Sequence, residues 1–157
     1  MITQAGNDSK VAALVYVAAG APDSGQSFGE MSNAFPPAPV AKEIREDPAG
    51  FLTLTETGVM TDLAPDLPVS ERRVMAATQG DWAAKCLTEK VTTAAWKSKP
   101  SWFIVAANDR MINPNLERAL AKKIGAHTTV LESSHVAMLA KPAEVAAVIL
   151  AAAAANP

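Results

Sequence analysis

Three residues of this chain have types and an order that could carry hydrolytic chemistry: Ser27, Asp109 and His135. Ser27 stands in "GQSFG", a literal G-x-S-x-G, the pentapeptide in which a strand-to-helix turn can lift a serine hydroxyl clear of a sheet. Asp109 lies in "VAANDRMINP" and His135 in "LESSHVAML". A carboxylate that accepts from one imidazole nitrogen fixes the tautomer and stabilises the imidazolium. The other nitrogen is then free to take a proton from a hydroxyl. Taken singly, Asp109 before a turn reads as a loop-capping acid, and His135 as an ordinary surface histidine. Acid and then base, each following a strand-like run, together read as an orienter and a general base.

Strands must bring these residues to one rim. Residues 11–19, "VAALVYVAA", form a continuous apolar run with β-branched members, as expected of a strand buried on both faces. Residues 101–106, "SWFIVA", form a second run, and 127–131, "HTTVL", a shorter third. Between the last two, Asn113 suits an N-cap, Pro114 a first helical residue and Gly125 a stop, while Leu116, Leu120 and Ile124 make an apolar stripe. Pro142 opens a final helix through Val145, Val148 and Ile149. Strands alternating with helices predict an α/β fold with parallel pairing through right-handed crossovers. In such sheets ligands gather beyond the carboxyl ends of the strands, where Asp109 and His135 both fall. His127 begins its strand at the opposite end and reads as solvated or packed.

Residues 26–99 differ in character. "NAFPPAPVAKEIREDP" is proline-punctuated, and residues 70–77 and 82–93 read as two short amphipathic helices separated at Gly80. Long excursions in compact domains tend to be lids or binding loops, so this insertion is expected to be a cap. Met60, Met75, Leu87 and Trp96 are its candidate apolar walls. Asp62 and Asp66 in "MTDLAPDLP" are neighbouring acids without a glycine-rich loop, which does not suit a metal.

Bulk properties narrow the function classes. The chain has 157 residues, 49% of them apolar, and a formal charge of −2, which gives no footprint for nucleic acid. Cys86 is the one cysteine, which excludes an internal disulfide and reads as a packed helical residue. No apolar run approaches the length of a membrane span, and the N-terminus has no secretory pattern, so a cytoplasmic setting is the default.

The stretches "VAALVYVAAGAPDSGQS", "MAATQGDWAAKCLTEK", "AAWKSKPSWFIVAANDRMINP" and "SSHVAMLAKPAEVAAVILAAA" together resemble the second half of an α/β-hydrolase. The nearest branch is the one with esterase-like and hydroxynitrile-lyase-like members. The resemblance covers nearly the whole chain as a single partial domain, residues 1–157, with residues 26–99 as its cap. It implies that Asp109 is the triad acid and His135 the triad base. It also implies a small apolar ester-like substrate; no cofactor and no metal are expected.

Ser27 does not fit the elbow. Residues 20–24, including Pro22, separate its motif from the strand, and "EMSNAFPPAP" meets adjacent prolines before a helix could run far. In the family it resembles, this segment leaves a strand for the cap, and the elbow lies one strand earlier. Ser27 is therefore read as an imitation of the motif, with the true nucleophile expected upstream of Met1. The expected function is a Ser-His-Asp hydrolase of which this chain holds the acid and the base. The alternative is a non-catalytic binding or interaction module. The strand at 11–19, missing a neighbour, is expected to promote self-association through its edge.

Overall fold

The computed structural model describes residues 1–155. In chain order the chain forms α1 (Ile2–Ala5), β1 (Leu14–Val17), α2 (Phe28–Ser32), β2 (Ile44–Glu46), β3 (Phe51–Leu54) and α3 (Glu56–Gly58). It continues with α4 (Val69–Thr78), β4 (Trp82–Ala83), β5 (Ser101–Ala106), α5 (Pro114–Lys123), β6 (His127–Leu131), α6 (Ala137–Ala140) and α7 (Pro142–Ala154). A parallel sheet in the order β1-β5-β6 is the frame, with Leu14 opposite Ser101 and Trp102 opposite His127. The fold is α/β.

β5 lies between the other two strands and all six of its residues are buried. Its side chains alternate between two apolar layers. Phe103 and Val105 join Leu14 and Tyr16 against the Leu116, Leu120 and Ile124 stripe of α5 and its end. Trp102 and Ile104 face the other way, onto Val145, Val148 and Ala152 of α7. Asn113 caps α5 through its side-chain oxygen, and Gly125 ends the turn at φ 64°, where a side chain would be strained. Truncating one leucine of such a stripe costs about 2–5 kcal/mol.

Two sequence expectations need correction. β1 is shorter than residues 11–19, because Ala18 turns into the left-handed region at φ 44° and ends the strand. It is also not buried on both faces: Val15 and Val17 are half-buried, and β5 is its one strand neighbour among the described residues. The second correction concerns the insertion, which is not wholly helical. α4 matches the first expected helix, but 82–93 begins as β4, with Trp82 opposite Leu52, and continues as one 3-10 turn. The cause is a hairpin: Asp47 Oδ1 accepts from the amides of Ala49 and Phe51, Gly50 turns at φ 81°, and β2-β3-β4 pair as an antiparallel sheet. Exposed Cys86 lies on that 3-10 turn and is not a packed helical residue. Among the described residues no helix is long and apolar enough to cross a membrane.

Candidate active site

Asp109 and His135 meet. β5 ends at Ala106, and the chain turns at once, with the Asp109 amide donating to the Ala106 carbonyl at 3.2 Å. β6 ends at Leu131, and the loop that follows is stitched to the first by the Asn108 amide on the Ser133 carbonyl at 3.1 Å. Parallel pairing of β5 and β6 brings both loops to one rim of the sheet. There His135 Nδ1 and Asp109 Oδ2 lie 2.7 Å apart.

The environment of Asp109 suits an anion. Its Oδ1 accepts from the amides of Met111 at 2.6 Å and Ile112 at 2.9 Å, so the loop closes around the carboxylate. Burial alone would raise its pKa, but the His135 contact, and after it Glu117 and the Ile112 amide, hold it below the usual carboxylate range. The Asp109 side chain is fully buried while that of His135 is 26% exposed. With Nδ1–H donated to Asp109, Nε2 is the ring nitrogen left to accept a proton.

Two acids of the insertion hold these loops from outside. Asp62 accepts from Arg110 Nε at 2.6 Å, one residue beyond Asp109. Asp66 accepts from the Ser134 amide at 2.7 Å and its hydroxyl at 2.5 Å, one residue before His135. Met75 of α4 packs with Leu67 and Val136, just past His135. Reading Asp62 and Asp66 only as a metal site that does not fit misses this role, since a contact across more than 40 residues leaves no local spacing signal.

The other candidates fall elsewhere. Ser27 is the N-cap of α2: its Oγ accepts from the Glu30 amide at 3.2 Å, and its own amide donates to Glu30 Oε2 at 2.9 Å. At φ −92° and 3% exposure it has ordinary extended backbone and a buried hydroxyl. Its motif is thus a capping box, S-x-x-E, legible in "SFGE". Of the expected walls, Leu87 lines an apolar cleft of about 270 Å³ with Phe28, Phe35, Met111 and Leu116. Trp96 packs on the core and donates to the Pro22 carbonyl. His127 stacks on Trp102 at 4.9 Å. A further residue escaped the sequence reading. Glu117, in the exposed-looking "NLERALAKK", is wholly buried behind Asp109, and burial together with the Asp109 carboxyl pushes it up to about 9.

The parallel sheet thus carries an acid after one strand and a histidine after the next at a single rim. Residues 1–148 match the family model described as the alpha/beta hydrolase family, and the chain belongs to that family. Among solved structures, polyneuridine aldehyde esterase is similar at 16% identity, with 95% of this chain aligned to 64% of that one at a TM-score of 0.75. A pyrethroid hydrolase from Sphingobium faniae JZ-2 aligns at 17% identity over 96% of this chain and 63% of its own, TM-score 0.70. Tomato methylketone synthase I, complexed with 2-tridecanone, aligns at 17% over 99% of this chain and 67% of its own, TM-score 0.73. At such identities the likeness concerns the fold. The chain spans about two thirds of the length of these structures. No curated protein sequence matches it.

Proposed function

We propose that Asp109 and His135 are the acid and the general base of a hydrolase acting on a carboxylic ester or similar small acyl compound. The observation that carries this reading is the 2.7 Å contact between His135 Nδ1 and a buried, backbone-held Asp109 carboxylate. In the reaction, His135 Nε2 takes the proton of an attacking hydroxyl and later returns it to the leaving alkoxide, while Asp109 stabilises the imidazolium between those steps. Residues 26–99 act as the cap, with the Asp62 and Asp66 contacts joining it to the two loops. The similar proteins include an esterase and a pyrethroid hydrolase, which supports an ester-like substrate.

The attacking hydroxyl, in this reading, comes from outside residues 1–157. Ser27 is committed to Glu30, and its geometry is that of a cap, not of a strained elbow. The test is a chromogenic short-chain ester assay, run beside labelling with a serine-directed phosphonate. It is applied to this chain and to the chain extended upstream in its own reading frame. Turnover and labelling are expected in the extended protein, with a loss of roughly 10³-fold or more in its His135→Ala variant. Turnover by residues 1–157 that disappears in Ser27→Ala overturns the assignment. Silence in both proteins favours the non-catalytic binding module.

A further inference from the structure

Asp109 has another acidic neighbour. Glu117 lies on the first turn of α5 at 0% exposure. Its Oε2 accepts from the Ala106 amide at 2.9 Å, at the end of β5, and the Ala106 carbonyl in turn accepts from the Asp109 amide. Glu117 Oε1 is buried and has no donor to satisfy it among the described residues. An ionised Glu117 would leave a charged oxygen without a donor in an apolar setting. It would also stand beside a second carboxylate already bonded to His135, and both conditions penalise the charged form.

A neutral carboxyl removes both penalties. Its hydroxyl becomes a donor, and the Asp109 carboxyl is the acceptor against which it lies. The Ala106 amide and then the nearby Arg118 cation oppose this, each less than burial and the Asp109 carboxyl favour it. We propose that Glu117 is held as a neutral carboxylic acid that donates a hydrogen bond to the Asp109 carboxylate, which makes it a positioning residue for the Asp109–His135 pair. Asp109 then receives the Met111 and Ile112 amides, His135 and Glu117. A carboxylate saturated in this way is a poor proton acceptor, so the proton taken from a hydroxyl stays on the imidazole. This consequence rests on the function proposed above; the protonation of Glu117 does not.

The test is therefore made without substrate. Carbon NMR follows the Glu117 carboxyl, assigned by its loss in Glu117→Gln, while imidazole signals give the titration midpoint of His135. The Glu117 carboxyl is expected to keep its acid form through neutral pH. Glu117→Gln, which can still accept from Ala106 and donate to Asp109, should leave the His135 midpoint within about 0.3 unit. Glu117→Leu removes the donor and should raise that midpoint by about half a unit or more, because Asp109 then carries more charge toward the imidazolium. Titration of Glu117 near the ordinary 4.5 overturns the proposal. So does a fall of about one unit or more in Glu117→Gln, the effect of deleting a nearby anion. A folded Glu117→Leu with an unchanged midpoint removes the positioning role. If Glu117→Leu does not fold, the carbon titration and Glu117→Gln decide. An enzyme without ester turnover would leave all these readouts intact, so the two proposals fail separately.

Discussion

Asp109 and Glu117 place opposite demands on pH: the His135 contact holds the first down, and burial pushes the second up. Asp109 is held below its ordinary 3.8, so the stability it contributes is present above that value and is lost as pH falls through the folded one. Glu117 is raised from 4.5 to about 9, and the sign reverses. Below 4.5 both folded and unfolded chains hold the proton. As pH climbs from there to about 9 the unfolded chain releases it and the folded chain keeps it, so stability declines. The slope from this one group is at most ~1.4 kcal/mol per pH unit. Urea unfolding at a series of pH values should show the decline in the native sequence and a flatter profile in Glu117→Gln; parallel profiles would mean that Glu117 ionises alike in both states. The histidine supplies a second check. Asp109→Asn removes the anion facing Nδ1, so the His135 midpoint should drop by about one unit or more, and ester turnover in the extended protein by roughly 10⁴-fold. A midpoint that stays in place would show that the 2.7 Å contact carries no charge coupling.

Among the elements, the loops after β5 and β6 are set as much by the insertion as by the strands that lead into them. Asp66 holds both the amide and the hydroxyl of Ser134, so Asp66→Ala orphans two donors next to His135. A cost of about 1–3 kcal/mol is expected, and a double-mutant cycle with Ser134→Ala should return a coupling of roughly 0.5–3 kcal/mol. Additive single effects would mean that the clasp holds nothing. The same distinction, local against long-range, governs what the sequence made legible. α5 was readable from Asn113, Pro114, Gly125 and the leucine stripe because its signals lie within one helix. The approach of Asp109 to His135 was expected from their places after two strands of a parallel sheet and from the family resemblance. β4 was misread because Trp82 is drawn into a strand by Leu52, 30 residues away, against the local helical pattern. Glu117 gave no signal in the sequence, because its partners are the end of β5 and a second acid, and neither is visible from helical spacing.

For the molecule as a whole, the sheet leaves one side of β1 open, and we propose that this edge drives association of the isolated chain. The hydrogen bonds define which groups are free. Leu14 donates to the Pro100 carbonyl and Ala18 to the Ile104 carbonyl, each at 3.0 Å, so alternate amides along β1 serve β5. The amides of Val15 and Val17 point the other way, toward no strand among the described residues. An unpaired apolar edge of this kind is a template for another strand, and a net charge of −2 offers little repulsion against it. Val15→Pro tests the edge selectively. Proline removes a donor that the β1–β5 ladder does not use, and its fixed φ is tolerated in an edge strand. Lost packing under α7 should cost no more than about 1–2 kcal/mol. Sedimentation velocity over a concentration series should show reversible association of residues 1–157, shifted toward monomer in Val15→Pro, with cooperative melting retained. A native chain that sediments as a monomer throughout the series, or a Val15→Pro variant that associates equally well, would place the driving surface elsewhere or remove the need for one.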